Sequence, residues 1–422
     1  MSISIDFSLA LNTKFPIKTF DSKEFVVQNH EKSLFSQGIR QGFTELPYNM
    51  NVIYDIQNKI KKFENKFETI VVLGIGGSML GVQTVLDALY SQNHSNGSIT
   101  VHCVDNIDPF VIQNLTAKLD FGTTLFLVQT KSGGTPETIA QFLYFKEQAQ
   151  SLGLLLENHF IFVTDPAKGY LRQLANANEN IACIDIPDNV GGRFSVLTPM
   201  GLLVLCLLDL DAGAMLRGAK NALENQKELA SQLANLQVQL YGQGVDQNVL
   251  MPYSSRLATL SKWYIQLLSE SIGKEKSLDG QTVNHGITPI PALGATDQHS
   301  QAQLFKDGPF NKLVMTMQVQ DYQALPVICD EATAGLEYLQ GITFGDLMDA
   351  ELQGTRQSLA ESGKPNLNIT IDKVCEYTVG ELFMFLELSV CYIGNMLNVD
   401  TFDQPGVERA KILAKEILSS HI

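Results

Sequence analysis

Apolar and polar positions fall into two alternating patterns along the first half of this chain. Short apolar runs at residues 69–73, 99–104, 124–128, 160–163 and 181–186 have the length of buried strands. Stretches that read as helices lie before, between and after them, at 51–67, 79–90, 110–119, 139–151 and 170–176. Strands and helices alternating in this way predict a parallel sheet covered on both faces, with ligands expected at the carboxyl ends of the strands. An apolar helix at 199–210 closes this half, and a boundary falls near Asp211. A long helix at 214–240 opens a second α/β unit, followed by a strand at 249–253, a helix at 255–271, strands at 312–319 and 367–371, and a helix at 379–397. A last helix occupies 408–420. The predicted fold class is therefore α/β. Its parts are an N-terminal segment at 1–48, α/β domains at 49–211 and 212–400, and a C-terminal helical segment at 401–422. The N-terminal segment has no strong pattern and is expected to pack over the domain that follows it.

Two strand ends carry glycine-rich turns. After the strand at 124–128 the chain reads V-Q-T-K-S-G-G-T-P-E-T, from Val128 to Thr138. Thr135 suits a helix N-cap and Pro136 the first helical position. Glycine lets backbone N–H groups come close to a ligand, and a helix start aims unpaired N–H groups and partial positive charge into the same space. With the hydroxyls of Thr130, Ser132, Thr135 and Thr138 and the amine of Lys131, the stretch describes a pocket for a phosphate monoester. An ordinary, well-capped strand–turn–helix is the plain alternative. The lysine precedes the glycines, so this is not a nucleotide-triphosphate loop. The second turn, Gly74-Ile75-Gly76-Gly77-Ser78, lacks the spacing of a dinucleotide fingerprint because position 79 is Met.

Composition narrows the partners. Acidic residues outnumber basic ones 45 to 30 over 422 residues, a net charge of −15. That argues against nucleic acid and against an anionic membrane surface, and it obliges any anionic substrate to find a local basic pocket. Cys103, Cys183, Cys206, Cys329, Cys375 and Cys391 show no C-x-x-C spacing, so reduced thiols in a cytoplasmic protein are expected. The first twenty residues lack the pattern of a signal peptide, and the most apolar run, 201–208, is far too short to span a membrane.

The remaining candidates are single side chains. Gln266 and Glu270 stand four apart and share a helix face, so Glu270 is a candidate general base. Arg193 follows two glycines at the mouth of the first sheet, where it can bind a phosphate or an oxyanion, or simply its own loop carbonyls. His299, in G-A-T-D-Q-H-S, has the most site-like surroundings of the seven histidines; His285 is the nearest competitor. Gln404 precedes Pro405 and so sits in a turn or extended segment. Lys411 lies on one helix face with Glu408, which a surface ion pair explains.

Taken together these stretches resemble the phosphoglucose isomerase family in its short bacterial form. Asp188 to Gly201, D-N-V-G-G-R-F-S-V-L-T-P-M-G, and Gly394 to Lys411, G-N-M-L-N-V-D-T-F-D-Q-P-G-V-E-R-A-K, fit its two signatures. G-I-G-G-S and T-K-S-G-G-T-P-E-T look like its sugar-phosphate loops, and E-S-I-G-K and G-A-T-D-Q-H like its base and histidine segments. Ile272 stands where many members have Asn. The resemblance implies two SIS-type domains and the interconversion of glucose 6-phosphate and fructose 6-phosphate through a cis-enediol, in glycolysis and gluconeogenesis. It implies that Glu270 moves the proton, that Arg193 stabilises the enediolate, and that His299 and Lys411 open the ring. His299 is then donated by the neighbouring subunit of a homodimer. It also implies a phosphate cradle of Ser78, Thr130, Ser132 and Thr135 edged by Lys131, with Gly77, Thr138, Gln266 and Gln404 as further substrate contacts. No metal and no other cofactor is called for.

Overall fold

A computed structural model describes residues 3–11, 13–17, 42–90, 99–327 and 335–420. His30, His94, His421, Cys329 and most of the N-terminal segment lie outside the described residues. The chain opens with strand β1 (Ile3–Asp6) and helix α1 (Ser8–Leu11), and α2 (Asn51–Ile60) comes before the first sheet. That sheet is built by β2 (Thr69–Leu73), α3 (Leu80–Leu89), β3 (Thr100–Val104), α4 (Pro109–Thr116), β4 (Thr124–Thr130), α5 (Pro136–Ser151), α6 (Leu156–His159), β5 (Phe160–Thr164), α7 (Tyr170–Ala177) and β6 (Ala182–Asp185). Helices α8 (Pro199–Leu207), α9 (Ala212–Asn225) and α10 (Lys227–Tyr241) lead to the second unit. It consists of β7 (Gln247–Pro252), α11 (Ala258–Ile272), a hairpin of β8 (Lys274–Lys276) and β9 (Thr282–His285), β10 (Thr288–Pro291), α12 (Ala302–Asp307), β11 (Lys312–Val319), α13 (Phe344–Glu361), β12 (Asn366–Ile371) and α14 (Glu376–Met396). Helix α15 (Glu408–Ser419) follows.

The first sheet has the order β3-β2-β4-β5-β6 and is parallel throughout. The second has the order β1-β12-β11-β7-β10, with only β1 antiparallel. In each sheet the strand order reverses once, between β2 and β4 and between β7 and β11. Such a reversal opens a crevice at the carboxyl ends of the strands. Every residue of β4 is buried, as a central strand between two helical layers demands. Its side chains alternate: Leu125 and Leu127 face one core and Phe126 and Val128 another. The first of these cores also takes Leu313, Met315 and Met317 from the second sheet, so both sheets share one hydrophobic mass. Helix α14 lies in its middle. By length and composition alone α14 could cross a membrane, yet 89% of that stretch is buried inside the fold.

The structure corrects two expectations. The helix expected at 214–240 is two helices, broken at Gln226, whose side chain leaves the helical path to donate to Glu381 at 2.8 Å. The N-terminal segment does not simply cover the domain that follows it. Residues Ile3–Asp6 complete the far edge of the second sheet, pairing with β12 from Ile3 opposite Ile371 to Asp6 opposite Asn368.

Candidate active site

Three loops meet where the first sheet reverses. The turn after β2 places Gly76 at φ +56°, a conformation that favours glycine, and a side chain there would come within 3.1 Å of the Gln266 amide nitrogen. Gly77 packs so closely on the third loop that an added Cβ would lie 2.3 Å from the Gly192 carbonyl oxygen. Ser195 Oγ closes the contact by donating to the carbonyls of Gly77 at 3.2 Å and Gly192 at 2.6 Å. Any larger residue at 77 would push the Arg193 turn off the first sheet.

The loop after β4 forms a compact hydroxyl cluster. Thr130 Oγ1 lies 2.6 Å from Thr135 Oγ1, and Ser132 Oγ is 3.4 Å and 3.3 Å from the two. Thr135 holds the N-cap position of α5 with Pro136 at its first turn, as expected, but its side chain makes no capping hydrogen bond. The hydroxyl is turned into the cluster, which leaves the helix start without a side-chain cap and its positive end directed to the crevice. Ser78 and the end of β4 both pack on Gly74, where an added side chain would touch Ser78 Cβ and the Gln129 carbonyl, each at 3.3 Å. Two members are placed differently from expectation. Thr138 is 0% exposed and its hydroxyl is unpaired among the described residues, so it does not open onto the crevice. Lys131 directs its amine to the carbonyls of Asp188, at 3.0 Å, and Val190, so it ties this loop to the third one rather than edging the cradle.

The third loop delivers Arg193 on a 3-10 turn, Gly192–Phe194. Phe194 anchors the turn against Phe43 and Phe402, with ring centroids 4.9 Å and 5.4 Å away. The Arg193 side chain is 2% exposed. Its Nε donates to Ser271 Oγ at 2.8 Å, and Nη1 to Gln404 Oε1 at 3.1 Å and to Glu270 Oε2 at 3.4 Å. Nη2 donates to the Thr401 carbonyl and, at 3.1 Å, to that of Asp403. All five N–H directions are thus used on two segments far away in sequence. Burial pulls the Arg193 pKa below the usual arginine value, and the Glu270 carboxylate opposes that pull. Of the two readings offered for Arg193, the one in which it bonds its own loop carbonyls does not hold: its acceptors are the carbonyls of Thr401 and Asp403 and the side chains of Ser271, Gln404 and Glu270.

Glu270 ends its helix face as expected. Gln266 Nε2 donates to Glu270 Oε1 at 3.0 Å, one turn back. The carboxylate is therefore held from both sides, by Gln266 and Arg193, with 29% of the side chain left open. Lys274, at the end of E-S-I-G-K, joins the site although nothing in the sequence reading singles it out. It is 6% exposed and reaches the Glu270 carbonyl at 2.9 Å and the Asp403 carboxylate at 2.8 Å. Burial lowers its pKa, while Asp403 works against the shift. A lysine just past a buried helix end, in need of an acidic partner, is the signal available in the sequence. Ile272, also in this motif, is fully buried in the core.

His299 and Lys411 are not brought into this cluster. His299 ends the 3-10 turn Thr296–His299, is exposed, and has no hydrogen bond among the described residues. The turn itself is rigidly held. Gln298 Nε2 donates to Tyr253 OH and Thr355 Oγ1, both at 2.8 Å, and Asp297 Oδ2 accepts from Leu293 N at 2.7 Å. Lys411 lies on α15, where every residue is exposed, and pairs with Glu408 at 2.8 Å. His285 is occupied elsewhere, edge-on to Tyr241 at 5.9 Å.

A family model described as phosphoglucose isomerase matches residues 57–421. Glucose-6-phosphate isomerase of Carboxydothermus hydrogenoformans is 40% identical over 389 residues, which cover 88% of this chain and 83% of the relative. Among solved structures, a hypothetical protein of Thermus thermophilus superposes with a TM-score of 0.90 at 32% identity, covering 99% of each chain. Tagatose-6-phosphate ketose/aldose isomerase of Escherichia coli superposes with a TM-score of 0.52 at 13% identity over 91% of this chain and 96% of the other, a likeness of fold alone.

Proposed function

We propose, for a chain that belongs to the phosphoglucose isomerase family and interconverts glucose 6-phosphate and fructose 6-phosphate, that Glu270 is the base that carries the proton between C1 and C2. The observation that carries this reading is the Glu270 carboxylate, held between Gln266 and Arg193 and part-open to the crevice. The fold is the SIS type, with two mostly parallel sheets flanked by helices.

In this reading the opened sugar lies with its phosphate on Ser132, Thr135 and the start of α5, and with Ser78 and Gly77 beside it. Glu270 takes the proton from C2, a cis-enediol forms, and the same carboxylate returns the proton to C1. A single group can serve both carbons because they are adjacent. Arg193 stabilises the negative charge that develops on the enediolate oxygens through its fixed positive charge. Its N–H groups are already engaged, so its second task is to orient Glu270 and to bring Gln404 to the crevice. Neither step calls for a metal or a redox group.

Ring opening falls to His299 and Lys411. Both are exposed in one chain, and α15 presents Ile412, Leu413, Ile417 and Leu418 to the outside. A homodimer with an isologous interface would cover such a helix and carry His299 to the crevice of the other subunit. The protein would work in the cytoplasm in this form.

The test uses glucose 6-phosphate labelled with tritium at C2, with Glu270→Gln as the variant. The amide keeps the shape and removes the base. Loss of a general base lowers rates by about 10²–10⁴, so isomerisation and label release should fall together while substrate still binds. Label release continuing at the parental rate would transfer the base role to another residue.

A further inference from the structure

The second sheet reverses its strand order between β7 and β11, the counterpart of the reversal where the first sheet holds its hydroxyl cradle. A cavity of about 820 Å³ opens there, at the carboxyl ends of β7, β11 and β12. Ser254, Arg256, Asp321, Tyr322 and Lys373 line it. None of these residues belongs to the site already described.

The lining is built to receive something. Ser254 is 8% exposed, sits at the N-cap of the 3-10 turn that runs into α11, and makes no capping hydrogen bond. It lines the cavity, and its hydroxyl has no partner among the described residues. Arg256 is fixed from two sides, by Nε to the Ala88 carbonyl at 2.8 Å and by Nη2 to the Val374 carbonyl at 3.1 Å. Its Nη1 makes no hydrogen bond among the described residues, and Lys373 is the residue before Val374. An unpaired hydroxyl, two cations and the amino end of a 15-residue helix therefore line one cavity, where the Asp87 carboxylate is already engaged by Thr259. Asp321, a hydroxyl acceptor, stands beside Lys373, its backbone N–H on the Asp372 carbonyl at 2.7 Å, and next to the ring of Tyr322, whose own hydroxyl is used on the Tyr253 carbonyl at 2.5 Å. A ring face and a carboxylate suit a carbon chain bearing hydroxyls; the two cations and the helix start suit a phosphate.

We propose that this crevice is a second binding site of the chain, for a hydroxylated phosphate monoester, with the phosphate at Ser254, Arg256 and Lys373 and the hydroxyls of the polyol on Asp321 beside the Tyr322 ring. The site also spans the two sheets. Arg256 grips the carboxyl end of α3, whose other end follows the Gly76–Ser78 turn, and Asp87 of α3 accepts from Thr259 of α11. The two helices thus run from this crevice to the one that holds Glu270.

Isothermal titration of the full chain with sorbitol 6-phosphate, which cannot be isomerised, tests the assignment. Two binding events per chain are expected. Lys373→Ala, an exposed position whose fold contacts are made by its backbone, should weaken one event tenfold or more and leave the other unchanged, and Ser254→Ala should act on the same event. Thr135→Ala should weaken only the other one. Inorganic phosphate should bind at the second site at least tenfold more weakly than sorbitol 6-phosphate. A single event per chain, or two events that neither Lys373→Ala nor Ser254→Ala moves, would overturn the site. Equal affinity for inorganic phosphate would overturn the polyol assignment. These outcomes are separate from turnover, so they leave the isomerase reading untouched.

Discussion

The residues around Glu270 and those around His299 and Lys411 stand in opposite states within one chain. Glu270, Gln266, Arg193 and Gln404 come from three distant segments and are joined by direct hydrogen bonds. Lys274 and Asp403 lock the same segments a second time, with the lysine side chain 5% exposed. His299 and Lys411 lie on elements that are well formed, yet the side chains touch nothing in the cluster. The contrast separates what one chain assembles by folding from what it presents outward. Proton transfer between adjacent carbons needs a base held to within a fraction of an ångström, and a folded core supplies that. Groups that act on the ring before it opens can be delivered by another surface.

The largest expected effect breaks the locked half. Arg193→Ala removes five hydrogen-bond donors from a buried position; it strips Ser271 and the Thr401 carbonyl of this partner and leaves Glu270 to Gln266 and the Asp403 carbonyl to Lys274. Removing one partner of a buried pair costs about 3–5 kcal/mol. Chemical denaturation should show a loss of that order, with turnover falling alongside. A variant with parental stability would mean that the 401–404 segment is held by other contacts.

The next prediction addresses the presented half. Purified His299→Ala and Glu270→Gln proteins should each be almost inactive. If His299 acts across a two-fold interface, a mixed dimer keeps one intact site, so an equal mixture after subunit exchange should regain about a quarter of parental activity. No recovery in confirmed mixed dimers would place both residues in one subunit's site.

The two halves are also unequally legible in the sequence. The parallel sheet, the two glycine turns and the Gln266–Glu270 face follow from local periodicity, and the structure reproduces them. Edges are harder. β10 contains Pro289 and Pro291, which argue against a strand, and it exists because it is an outer strand beside β7, where missing N–H groups cost little. β1 is too short to be seen except as the partner of β12. α13 escapes the periodicity although Thr343 and Asp346 form a reciprocal cap at its start, because its buried residues are few, Leu352 and Leu359. Among site residues, Arg193 reads as a ligand-binding group, but its long-range partners at 401–404 leave no trace in local pattern. Thr135 does occupy the expected cap position, and the direction of its hydroxyl is set by Thr130 on the preceding strand.

A milder change sharpens the comparison at the cradle. Thr135→Ala removes the 2.6 Å contact with Thr130 but no helix cap, so its stability cost should be that of one ordinary hydrogen bond, about 0.5–1.5 kcal/mol. Its main effect should be on affinity, about tenfold weaker for glucose 6-phosphate, equivalent to about 1.4 kcal/mol, with label partition at Glu270 unchanged. Parental affinity would remove Thr135 from the phosphate site.

The smallest expected effect concerns Lys411, where a surface ion pair and a role in ring opening make different demands. Glu408→Ala and Lys411→Ala break the same 2.8 Å contact between side chains that are 59% and 57% exposed. Exposed pairs of this kind are worth about 0–1 kcal/mol, so neither substitution should move the melting temperature by more than a degree or two. If the pair were the whole purpose of Lys411, the two variants would be alike in turnover as well. If Lys411 donates to the ring oxygen, only Lys411→Ala should slow turnover of the closed sugar, by several-fold. The loss should shrink when the substrate is supplied in its open-chain form, because the step that needs the lysine has already taken place. Equal turnover of the two variants on closed substrate would leave the ion pair as the full account of this position, and ring opening would then rest on His299 alone.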